Sequence, residues 1–191
     1  MHADRSILVA LFVLVLAGPA PADWPTHRHD PQRSATTAEQ LPQALHPQWT
    51  HLLPRRSPAF ESDMRNKIDA CHVPVIVGKT LLLGLDSDCS LLALNTDTGD
   101  VRWRFYADAP IRFAPAVADG VAYMAADDGV LYAISIDGGK LLWSYTAAPS
   151  GRKILHHERL ASNWPASSGP CVVDGVVYFS VGSWPIDGTY M

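Results

Sequence analysis

Eight histidines and three cysteines are the side chains of this 191-residue sequence that could ligate a metal or carry redox chemistry. Their spacing decides against most of it. His27 and His29 stand one residue apart beside Asp30, and His156 and His157 are adjacent. Neither spacing is a zinc pattern, so solvated loop histidines are expected. Cys71-His72 has the ending of a c-type haem attachment sequence, but the position where that motif needs its first cysteine is Ile68. No Gly-rich phosphate loop, Gly-x-Ser-x-Gly elbow or His-Glu-x-x-His helix occurs, which leaves hydrolase and nucleotide-binding chemistry without residues. What is left is charge. Arg65, Lys67, Arg112, Arg152, Lys153, His156 and His157 are candidate binding groups, and no catalytic or metal-ligating residue is assigned.

A repeat must position these groups. ALNTDTGDVRW at 93–103 and AISIDGGKLLW at 133–143 align without a gap at an offset of 40. Upstream, Pro74 to Gly78, Pro115 to Gly120 and Pro170 to Gly175 are three copies of an apolar run ending in a turn glycine. Each is followed by a second apolar run, at 81–85, 121–125 and 176–181. Asp-Gly between two such runs marks a tight hairpin, because both central residues of a type I′ turn need positive φ. Polar turns at 86–88 and 127–129, a third strand, a turn at Thr98-Gly99 or Gly138-Gly139, and a strand through the tryptophan complete each unit. Four short strands at a period near 40 predict an all-β fold, a β-propeller of four-stranded antiparallel blades. The blades are placed at 73–105 and 113–145, with a truncated one at 167–191, about two and a half in all.

The repeated core resembles the pyrroloquinoline-quinone-type propeller repeat of the quinoprotein alcohol dehydrogenase-like superfamily, whose pattern is Ala-x-Asp-x-x-Thr-Gly-x-x-x-Trp. The first copy meets it with Ala93, Asn95, Thr98, Gly99 and Trp103. The second keeps Ala133, Gly139 and Trp143 but has Ser135 for Asp and Gly138 for Thr. The resemblance implies that each tryptophan docks between neighbouring blades against the small alanine, so Trp103 and Trp143 are both expected to be largely buried. It covers Pro74 onward and, more weakly, Asp23-Trp24-Pro25 through Trp49.

Propellers close with about four to eight blades. The sequence is therefore expected to be an N-terminal fragment of a longer protein, the alternative being a small protein that completes its ring by oligomerising. Trp49 fits an N-terminal strand that would complete the last blade. Arg5, the apolar run Ile7 to Ala17 and the small residues Ala20-Pro21-Ala22 read as a signal peptide over 1–22. The run is too short to span a bilayer, and no other stretch approaches the ~20 apolar residues a spanning helix needs. The mature chain is then exported, periplasmic or extracellular, with no membrane span after cleavage. Its first segment, 23–72, is expected to be an extended arm and a long loop. With 15 basic against 19 acidic residues, net charge −4, a nucleic-acid partner has no electrostatic support.

Links from the last strand of one unit to the first strand of the next differ sharply in length. Trp103 to Pro115 is 12 residues, whereas Trp49 to Pro74 is 25 and Trp143 to Pro170 is 27. The two long links carry the candidate cations, apart from Arg112, so one face of the disc is elaborated, with Asp86, Asp88, Asp127 and Asp128 placed on the same rim. Long loops on a rigid scaffold are where binding residues concentrate. Cys71 and Cys89 fall at the same end of the first hairpin and could form a disulfide in an oxidising compartment, while Cys171 is expected to be a buried thiol or to have a partner elsewhere. Two functions follow. One is a non-catalytic scaffold that binds a protein, peptide or polysaccharide ligand and needs no cofactor. The other, implied by the resemblance, is part of a dehydrogenase oxidising alcohols or sugars with pyrroloquinoline quinone and Ca²⁺; no Cys-Cys pair or calcium set is visible for it.

Overall fold

The computed structural model describes residues 23–54, 72–156 and 159–191. The expected signal peptide, Arg65, Lys67, Cys71 and His157 lie outside them.

The described residues are all-β, apart from a 3-10 turn at Pro185–Asp187. β1 (Val75–Val77), β2 (Thr80–Leu85), β3 (Ser90–Asn95) and β4 (Val101–Tyr106) form one antiparallel meander. β5 (Ala116–Ala118), β6 (Val121–Ala125), β7 (Val130–Ser135) and β8 (Leu141–Thr146) form a second with the same order. Positive φ at Asp119 (49°) and Gly120 (75°), and again at Asp174 and Gly175, is the turn geometry that the Asp-Gly pairs predict. Both meanders shift register at the same repeat position, after Ala93 and after Ala133, which sets each alanine opposite its tryptophan across the strand pair. These two meanders, with a third pair of strands, are the blades of an incomplete propeller.

Period-2 alternation decides which side chains meet. Leu82, Leu91 and Ala93 face the second blade and pack with Ala122, Met124, Tyr132 and Ile134. The intervening Leu83, Leu85, Leu92 and Leu94 face the other way, where Trp49 and Leu53 pack on them. Trp49 therefore covers the outer side of the first blade, though no strand is formed around it.

Trp103 and Trp143 differ. Trp103 is 9% exposed, whereas Trp143 is 45% exposed, contrary to the expectation that both are buried. The reason lies in what the indole docks on. A Cβ at Gly139 would lie 2.6 Å from the Trp103 ring, and one at Gly99 would lie 2.7 Å from the Trp49 ring. Trp103 Nε1 donates to the Ile136 carbonyl (2.8 Å) and Trp49 Nε1 to the Thr96 carbonyl (2.7 Å), at equivalent repeat positions. The interblade partner is thus the turn glycine of the next unit, and the alanine is the cross-strand neighbour within the same blade. The third unit supplies only β11 (Cys171–Val173) and β12 (Val176–Tyr178). Among the described residues it forms no third strand and so offers no turn glycine to Trp143.

Two further expectations are corrected. The run 176–181 does not continue as one strand: β12 ends at Tyr178, and Val181 instead makes isolated bridges to Ala166 and Tyr190. The arm is not simply extended. Trp24 exchanges two backbone hydrogen bonds with Ile76 beside β1 (2.7 and 3.0 Å), and the Pro25 carbonyl accepts from Val117 in β5 (2.7 Å). The half-buried thiol of Cys171 in β11 lies 3.9 Å from the Pro31 carbonyl. Residues 23–31 thereby run as a strap along the first strands of all three units.

Candidate functional site

The elaborated face is built by turns and links that bond to one another. Its centre is the turn between β6 and β7. There Asp127, 3% exposed, accepts both contacts of Arg112 Nε (3.0 and 2.7 Å), and Arg112 Nη2 donates to the Ala166 carbonyl (3.0 Å). Backbone bonds from Asp127 to Pro110, from Ser162 to Asp127 and from Ala166 to Ala126 join three segments at this point. Arg112 is therefore an internal tie and not the rim cation expected from its position. Asp86 is likewise buried. The Asp127 carboxylate is buried and the half-buried Arg112 guanidinium offsets its charge away from water.

Neighbouring acids are absorbed in the same way. Asp88 accepts from Ser90 Oγ (2.6 Å) and pairs with Arg104. Asp128 accepts from Val130 N (2.9 Å) and Tyr132 Oη (2.6 Å); burial still pushes its carboxyl above the usual range. Burial, with the Asp128 carboxylate beside it, pushes the Tyr132 hydroxyl well up as well. These groups hold the turns that carry them.

The longest link folds into structure that its sequence does not announce. β9 (Lys153–His156) and β10 (Arg159–Ser162) pair as a hairpin. Arg159 reaches from it to the first blade, donating to the Ser87 carbonyl (2.7 Å), with its Nη1 3.8 Å from Cys89 Sγ. Cys89 is a free thiol here, pushed up by burial against the lowering effect of Arg159. The proposed Cys71 partner lies outside the described residues. Arg152 and Lys153 are exposed at the base of the hairpin. Leu155 and Leu160 are cross-strand partners and stand 74% and 58% exposed. Of the sequence-nominated groups, Arg152, Lys153 and His156 thus share one anchored hairpin, and Arg112 sits beneath the face. The exposed leucine pair escaped notice because a single Leu in a long link carries no signal until the strand register is known.

A second feature, assembled largely from residues that the sequence left unassigned, is a cavity of about 320 Å³ beside the strap. It is lined by His27 and Arg33, by Val73, by Arg112 to Ala114 before β5, and by Ser167 to Gly169 before β11.

Residues 46–181, more than half of the chain, match the family model described as outer membrane protein assembly factor BamB. The chain is 30% identical over 115 residues to the outer membrane protein assembly factor BamB of Yersinia pestis, covering 58% of this chain and 28% of that protein. It is 34% identical over 80 residues to the tetrathionate hydrolase of Acidithiobacillus ferrooxidans, covering 42% of this chain and 13% of that one. It therefore spans less than a third of the length of these relatives. Among solved structures, the quinohemoprotein alcohol dehydrogenase of Comamonas testosteroni superposes with a TM-score of 0.52 at 18% identity, over 84% of this chain and 23% of that one. A europium-containing methanol dehydrogenase gives 0.54 at 14%, over 86% and 28%. At such identities the likeness is one of fold. The family match, the repeated tryptophan-on-glycine docking and the four-stranded blades agree, and the chain belongs to the propeller-repeat family described as outer membrane protein assembly factor BamB.

Proposed function

We propose that this chain is part of an exported, non-catalytic propeller scaffold that binds a protein partner through its loop face. The observation that carries the reading is the β9–β10 hairpin. It is tied down by Arg159 and by backbone bonds from Ser162 to Asp127 and from Asn163 to Arg152, yet it presents Leu155 and Leu160 to solvent with Arg152 and Lys153 close by. Apolar side chains on an anchored hairpin lose little conformational freedom on association, and cations around them steer an acidic partner. Similarity to an assembly factor agrees with a protein as the ligand, in preference to a peptide or a polysaccharide.

The dehydrogenase alternative draws on the fold likeness to two quinone-superfamily enzymes. The described residues do not fit its calcium ion: no three carboxylate, imidazole or thiol groups among them converge on one point, and Asp127 is already committed to Arg112.

Photocrosslinking from position 155 in the cell of origin tests the reading. The expected result is one saturable protein adduct that is lost in Leu160→Asp while the far-ultraviolet circular dichroism is unchanged. Absence of any adduct, or turnover of an alcohol by the purified protein given pyrroloquinoline quinone and Ca²⁺, would overturn it.

A further inference from the structure

We propose that the cavity between the N-terminal strap and the loops entering β5 and β11 binds a small organic carboxylate, its charge held by Arg33 and its body packed against Phe113 and Val73. This goes beyond the protein-docking reading, since the cavity and the leucine hairpin share no lining residue.

Three observations converge on an anion. First, the lining is cationic and holds no carboxylate among the described residues. Arg112 is neutralised by Asp127, but Arg33 has no carboxylate partner among the described residues and supplies an uncompensated charge. The field is felt at His27, whose pKa is lowered by burial and then by Arg33 and Arg28.

Second, the serine network leaves one hydrogen-bond donor of the lining unused. Ser168 Oγ accepts from Ser180 N (3.2 Å) and lies 3.0 Å from Ser180 Oγ, whose own oxygen is 2.9 Å from Ser167 Oγ. If Ser167 donates to Ser180 and Ser180 donates to Ser168, both lone pairs of Ser168 are used. Its own O–H then needs an acceptor, and a carboxylate oxygen in the cavity is one.

Third, the backbone that carries Arg33 and the guanidinium of Arg112 are held before any ligand arrives. Arg33 sits on a turn closed by Ser34 N donating to Asp30 Oδ1 (2.8 Å) and Arg33 N donating to the Asp30 carbonyl (2.9 Å). Arg28, His29, Arg33 and Ala35 all have positive φ, between 56° and 82°, a conformation that non-glycine residues keep only where the surroundings fix it and one that recurs at ligand clamps. Arg112 is fixed by Asp127 and by its stacking 5.1 Å from the Phe113 ring centre. At about 320 Å³ the cavity is at the small end of ligand sites, which suits a compact molecule with one apolar face.

Isothermal titration of the full chain with benzoate, and with benzamide as its neutral isostere, is the test. Benzoate should bind saturably and benzamide at least about tenfold more weakly, as expected when a charge-assisted hydrogen bond is lost. Arg33→Gln, at an exposed position where folding is insensitive, should weaken benzoate by a similar factor, and Ser168→Ala by less. Equal binding of the two probes, no benzoate binding up to about 10 mM, or unchanged benzoate binding by Arg33→Gln would overturn the proposal.

Discussion

Trp103 and Trp143 occupy the same position in two copies of one repeat, each opposite a fully buried alanine, yet one is 9% and the other 45% exposed. The repeat frame around both is the same, with alanine, glycine and tryptophan at matching positions. What differs is the following unit: Gly139 receives the Trp103 ring and the Ile136 carbonyl takes its N–H, while the third unit has two strands and no such turn among the described residues. Burial in a repeat protein is therefore a property of the neighbour as much as of the residue, which is why stability in such folds is carried by interfaces between units. The whole outer strand β8 lies exposed for the same reason.

The largest effect should separate the two indoles. Trp103→Ala is expected to cost about 3–5 kcal/mol in denaturant unfolding, as a buried aromatic. Trp143→Ala loses chiefly its contact with Tyr123, whose ring centre is 5.9 Å away, and should cost about 1 kcal/mol. Equal losses would mean that the two junctions are not different. A comparable loss, about 3–5 kcal/mol, is expected from Arg112→Ala, because the buried Asp127 carboxylate would lose the guanidinium that offsets its charge. The double change Arg112→Met with Asp127→Leu should recover most of it if the pair is a structural tie.

Glycine substitutions sharpen the comparison at an intermediate scale. Gly120 and Gly139 have similar positive φ, 75° and 68°, but a Cβ at Gly120 meets nothing within 4 Å whereas one at Gly139 strikes the Trp103 ring. Gly120→Ala should show the backbone cost alone, about 1 kcal/mol. Gly139→Ala should add about 1–3 kcal/mol of overpacking. The same loss at both sites would remove tryptophan docking from the explanation.

The smallest effects concern the strap and the thiols. The folded-state pKa of His27 is depressed, so the unfolded chain takes up its proton first as pH falls below about 6.5. Its contribution to stability is present above that value and is lost as pH falls through the folded pKa. His27→Gln should flatten the decline in midpoint between pH 7 and pH 5; an unchanged slope would detach the arm from the blades. Thiol counting on unfolded, unreduced protein should find one free cysteine if Cys71 and Cys89 pair, and three if the free Cys89 thiol persists in solution.

Hairpins, blade order and the tryptophan register were legible because apolar alternation and Asp-Gly turns are local signals. The strap was not. Trp24 and Pro25 are bonded to Ile76 and Val117, about 50 and 90 residues away, and the polar, proline-rich composition around them reads as solvated chain. Arg112 looked like a rim cation for a related reason. Its partner Asp127 lies in a different loop, and only the folded chain shows that Asp127 is buried and Arg112 half-buried against it. Charges that a sequence places on a surface can be the ties that hold the surface together.

Fluorine NMR of the chain labelled with 5-fluorotryptophan, assigned by single Trp→Phe changes, tests the central comparison most directly. The Trp103 resonance should be insensitive to a soluble paramagnetic quencher, while the Trp143 resonance should broaden strongly. Equal broadening of the two, or protection of both, would contradict it.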